Sequence, residues 1–190
     1  MPDYQITLEN IISDERYQAN LKWGQPRPSH PEGTIAAHIE ELETNLDQLK
    51  GRLSNDEYWK LRVLIHAHDI CKPDARRTVS INHPESHASL ARDYLSGFTK
   101  DKDLLAIVQY HDVPNSMYQR WRKSREIDEK RLDNLLSSIL DWDLFSAFML
   151  IDGCTQGKQR EALRWFFDQI VEPKQPRFTA ADIWEASNKG

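Results

Sequence analysis

Apolar residues in this chain recur at intervals of three and four, segment after segment, and nowhere alternate with polar residues as a half-buried strand requires. That periodicity restricts the chain to packed helices. The clearest stripe is Ile35, Ile39, Leu42, Leu46 and Leu49, ending before Gly51. A second, begun by Asn55, Asp56 and Glu57, carries Tyr58, Leu61, Ile65 and His68 and ends at Pro73. A third starts near Pro84 with Leu90, Ala91, Tyr94, Leu95 and Phe98 inward; a fourth runs from Asp101 through Leu104, Ile107, Val108 and His111 until Pro114 closes it.

Around these, Ile6 to Leu21 is loosely helical and Gly24 to Pro31, with its three prolines, is a loop. Asn115 to Lys130 is polar and basic, and one long helix is expected over Leu132 to Asp152. Gly157 and Lys158 precede a helix carrying Leu163, Trp165, Phe166, Phe167 and Ile170, the aromatics serving as core. Thr179 caps a short last helix through Trp184. The expected fold is all-α, with roughly seven to nine helices in one domain over residues 1–190.

With 190 residues the chain has enough length for one real core, and its 39% hydrophobic and 29% charged residues exclude a disordered or fibrous class. A net charge of −5 argues against a nucleic-acid-coating surface. The basic run Gln119 to Arg125 is followed at once by Glu126, Asp128 and Glu129, and reads as a solvated segment. No stretch has membrane-spanning length and the N-terminus lacks the charge and apolar pattern of a signal peptide, so a cytoplasmic protein is expected. Cys71 and Cys154 have no CxxC spacing and read as core residues.

The chemistry lies in the histidines. His38, His68, His87 and His111 each fall in phase with an apolar stripe, and Asp69 and Asp152 stand at helix ends in apolar surroundings. A single such histidine is most simply a core residue bonded to a backbone carbonyl. Several buried ionisable groups without partners would be costly, and a shared metal is the simplest partner. Imidazole with carboxylate suits manganese, iron, cobalt, nickel or zinc better than an all-oxygen magnesium cage.

In order, His38, the pair His68-Asp69, His87, His111 and Asp152 resemble the signature of the HD superfamily of metal-dependent phosphohydrolases. The string HAHDICKP is similar to that family's His-Asp followed at the third position by lysine, and the match spans residues 38–152. The resemblance implies an HD-type helical bundle with additional C-terminal helices over 153–190, holding one or two divalent transition-metal ions. Carried over, His38, His68, Asp69 and Asp152 hold the first ion, and His87 and His111, with Asp69 bridging, hold the second. His83, which precedes a proline, competes with His87, whose phase with Ala91 and Tyr94 favours it; if neither binds, the site is mononuclear.

The implied activity is hydrolysis of a phosphate ester, a nucleotide or other small phosphorylated metabolite, by a metal-activated hydroxide. Asp69 and Lys72 would be catalytic, and Lys72 and Lys158 would contact the substrate phosphate. Asp112 has no assigned role: it assists a water or bonds an imidazole. The same ligands also fit an HD-type diiron oxygenase or a non-catalytic metal-binding module. Neither a membrane nor a nucleic acid is an expected partner, and the oligomeric state is open.

Overall fold

Side-chain caps set where the helices begin. In the computed structural model, which describes residues 3–185, Asp3 accepts from the backbone amides of Gln5 and Ile6 and opens α1, Tyr4–Ser13. Asp14 ends that helix and caps the next, α2, Glu15–Asn20, through the amide of Tyr17. Thr34 caps α3, Ile35–Leu49, and Ser54 with Glu57 forms a reciprocal capping box on α4, Asn55–Ala67. Then follow α5, His87–Leu95, α6, Lys102–Tyr110, α7, Val113–Ser124, and α8, Glu129–Ser138. The last two are α9, Trp142–Gly153, and α10, Arg160–Phe166.

The fold is all-α, with ten α-helices and no sheet among the described residues; two isolated bridges, Gly24 with Thr34 and Arg27 with His30, brace the loop before α3. One hydrophobic cluster runs through the chain. Its axis is α4 against α9, a helix apolar on every side and buried from Leu144 through Asp152. Helices α1, α3, α5 and α6 pack around α4, and α10 lies on α7 and α9. Trp165, Phe166 and Phe167 are buried in this core, as are the free thiols Cys71 and Cys154. No single helix among the described residues is long and apolar enough to cross a membrane.

The count exceeds the sequence expectation because three segments break differently. The long helix expected over Leu132 to Asp152 is two, bent by 116°: Ile139 turns extended, Leu140 points to solvent, and Asp141 accepts from the amide of Leu144 at 2.9 Å to start α9 afresh. The loosely helical N-terminal stretch divides at Asp14. Pro114 does not close a helix; it lies in the first turn of α7, where a missing N–H costs nothing, and the polar basic segment after it is helical. The expected last helix is only a short 3₁₀ turn, Ala180–Asp182, with Thr179 as its cap.

Candidate metal centre

Five helix ends converge on one point. His38 lies in the first turn of α3 and His87 is the first residue of α5. His68 and His111 terminate α4 and α6, Asp69 follows His68, and Asp152 stands in the last turn of α9. Three of the five ends are C-termini, whose unpaired carbonyls carry partial negative charge and favour a cation nearby.

All six residues singled out as ligands from the sequence meet there, in two sets whose ligand atoms lie within 4.8 Å of one another: His38, His68 and Asp152, and Asp69, His87 and His111. His38 Nε2 stands 3.3 Å from Asp152 Oδ1. Asp69 spans the two sets, with Oδ2 3.4 Å from His68 Nε2 and 3.9 Å from His38 Nε2, and Oδ1 3.7 Å from His111 Nε2.

The rings are oriented from behind. His68 Nδ1 lies 3.0 Å from the carbonyl of Ile65 and 3.2 Å from that of Leu64, and His111 Nδ1 lies 2.7 Å from that of Val108. With Nδ1 protonated toward these carbonyls, each Nε2 keeps a lone pair aimed inward. Nε2 of His38, His68 and His87 and Oδ1 of Asp69 are buried with no hydrogen-bond partner, as are His38 Nδ1 and Glu32 Oε2 behind the centre. Buried polar atoms left unpaired are expensive, so four converging on one spot fit a cation that takes their lone pairs. His87 Nε2 also lies 3.0 Å from Asp112 Oδ2, out of line for a hydrogen bond.

Protonation fits a metal at three of these positions, Asp69, Asp152 and His68, whereas His38, like His111, is raised: burial pushes it down, but the Asp152 and Glu32 carboxylates overcome that. Burial pushes the Asp69 and Asp152 carboxyls up, yet Lys72 beside the first and Lys158 beside the second, with the neighbouring imidazoles, hold both well below the usual carboxylate range. Burial pushes His68 down, so it is neutral at pH 7. His111 is raised to about 9, the charges of Asp112 and Asp69 overcoming burial, so an ion taken up at pH 7 must displace its proton.

Asp69, His111 and Asp152 of the cluster line the floor of a cavity of about 510 Å³. Lys72 Nζ contacts Asp69 Oδ2 and Lys158 Nζ donates to Asp152 Oδ1 at 2.6 Å, so both lysines stand at the floor. Arg27 adds a third cation to the wall, with Asn115, Gln119 and Gln159 as amide groups. The loop carrying Lys158 is held by Arg160, a buried guanidinium that donates to the carbonyls of Gly153, Cys154, Thr155, Lys158 and Trp184. Gly157, at φ +80°, is where that loop meets the one before α3: a Cβ there would stand 2.6 Å from the carbonyl oxygen of Pro28.

His83 is half-buried, its Nδ1 accepting from the amide of Glu85, and it lies outside both sets. His87 is inside, though half-buried at the start of α5 rather than within a buried stripe. The sequence reading missed His30 and Glu32, which form a third set with His38. They lie in a proline-rich loop where no periodicity marks a side chain as inward; the only sequence trace is a histidine and a glutamate just ahead of the α3 cap.

No protein-family model, no curated protein and no solved structure matches the chain.

Proposed function

We propose that the protein is a metal-dependent phosphohydrolase acting on a nucleotide or another small phosphate ester. The observation that carries this is the joining of two His/Asp sets to a cavity whose floor and wall hold Lys72, Lys158 and Arg27. Ligand atoms alone would serve several chemistries; three cations beside them select an anionic substrate.

A divalent transition-metal ion such as manganese, iron, cobalt, nickel or zinc, bound once or twice, would polarise a phosphoryl oxygen and bring the pKa of a coordinated water toward neutrality. His38, His68 and Asp152 would hold one ion and His87 and His111 the other, with Asp69 reaching both sets. Lys72 and Lys158 approach the reacting centre from the cavity side, where their ammonium groups offset charge growing on the phosphoryl oxygens. Asn115, Gln119 and Gln159 supply donors and acceptors for the leaving group, and the cavity is large enough to enclose one of nucleotide size.

The test is phosphate release from p-nitrophenyl phosphate and a panel of nucleoside monophosphates, under anaerobic conditions, with each metal in turn. The expected result is turnover that chelator abolishes, added metal restores and Asp69→Ala loses. Oxygen consumption by an iron-loaded protein that releases no phosphate would contradict the hydrolase and favour an oxygenase.

A further inference from the structure

Each inward-facing imidazole at the centre needs something to hold its other nitrogen. His68 and His111 use carbonyls of their own helices, Leu64 and Ile65 for the first and Val108 for the second. His38 does not. Its Nδ1 lies 3.0 Å from Oε1 of Glu32, a carboxylate in the loop before α3 that is 10% exposed; the contact is an ion-pair one, out of line for a hydrogen bond, and leaves that carboxylate oxygen as the nearest polar group the structure sets against the ring's outer nitrogen. The same oxygen lies 2.9 Å from Nδ1 of His30, which lines the cavity and meets the His38 ring edge-on at 5.6 Å.

The loop is built to keep Glu32 there. Arg27 and His30 exchange backbone hydrogen bonds of 3.0 and 2.8 Å, and the amide of Gly33 donates to the carbonyl of His30. Thr34 then caps α3 through the amide of Ala37, which places Glu32 directly over the first turn where His38 sits. A carboxylate behind a ligand imidazole fixes its tautomer and raises its basicity, which tightens metal binding.

We propose that Glu32 is a positioning residue for the metal centre: through one oxygen it fixes His38 with Nε2 toward Asp152 and His30 against the cavity wall. This rests on the metal-centre reading above, and goes beyond it by assigning the loop before α3 a role in metal affinity. His30 is in this scheme not a ligand, and its loss leaves the affinity in place.

Apo protein is titrated calorimetrically with Mn²⁺ and with Zn²⁺, for wild type and for Glu32→Ala, Glu32→Gln and His30→Ala, with the thermal midpoint of each apo protein recorded alongside. Glu32→Ala is expected to weaken binding about 10- to 100-fold, the range for loss of such an outer carboxylate. Glu32→Gln, which keeps an acceptor oxygen without its charge, is expected to lose less, about 3- to 10-fold on the same scale, and decides the matter if the alanine variant does not fold. His30→Ala should bind as wild type. Unchanged affinity in the folded Glu32 variants overturns the proposal. So does a His30→Ala variant that loses one ion per chain together with the Glu32 variants, because His30, Glu32 and His38 would then themselves be a metal site. A loaded wild type that releases no phosphate overturns the hydrolase while leaving the affinity result for Glu32 readable; a wild type that binds neither metal overturns both.

Discussion

His66 and His68 stand two residues apart on α4, both buried, and show two fates of a buried histidine. His66 has both nitrogens occupied: Tyr17 Oη donates to Nδ1 at 2.5 Å and Nε2 bonds Glu43 Oε1 at 3.0 Å. His68 has one nitrogen held and the other unpaired. Phase along the helix separates the two in the sequence, but only the hydrogen bonds say which one is left to bind something. Burial alone would raise the Glu43 carboxyl, but His66 and Arg62 hold it below its ordinary range. A depressed carboxyl stabilises the fold above its unfolded value of about 4.3 and loses that contribution as pH falls through the folded value. The thermal midpoint of Glu43→Gln should therefore lie below wild type at pH 7 and pH 5.5, with the gap closing below about pH 4; a gap independent of pH would show that packing, not charge, is lost. Lys72 is a residue whose role the sequence did suggest, from its position after His-Asp. Lys72→Ala should lower kcat/KM about 100-fold with metal content unchanged, measured by steady-state phosphate release beside elemental analysis.

Helix faces were legible from spacing, whereas helix breaks depended on single polar residues. Asp141 could be seen as a cap only once the chain was known to turn there, because the apolar run Leu135 to Ile151 reads continuously across it. Pro114 was misread for a related reason: a proline ends one helix or starts the next, and two helices that meet at His111 and Asp112 leave no gap to show which. The loop from Cys154 to Gln159 gives no periodic signal, yet it carries Lys158, and Arg160 gathers its Cys154, Thr155 and Lys158 carbonyls together with those of Gly153 and Trp184. Removing that guanidinium strands buried acceptors, each costing about 1–3 kcal/mol. Arg160→Ala should lose about 3 kcal/mol or more in urea unfolding, and Arg160→Lys should recover little of it, since one ammonium cannot reach all five oxygens. A loss under 1 kcal/mol would mean that water replaces the arginine.

At the scale of the whole molecule, the all-α architecture follows from stripes that each bury one face, and the centre follows from where those stripes end. The six ligand candidates sit at helix termini, so the packing of α3, α5, α6 and α9 around α4 brings them together without any one helix holding a complete set. Their membership in one cluster was legible because His38, His68 and His111 each continue an apolar stripe; His87, half-buried at the start of α5, joins them without doing so. The division into two sets came from the family resemblance and not from spacing; the supporting role of Glu32 and the third cation Arg27 were not legible at all, because they depend on how loops fold over the ends of helices. The most direct test is the metal content of protein purified without chelator, counted per chain by elemental mass spectrometry for wild type and Asp69→Ala. The account predicts about two transition-metal ions per chain, both weakened or lost in the variant because Asp69 faces both sets. A wild type that carries none, and takes up none when manganese, iron or zinc is added, would contradict it.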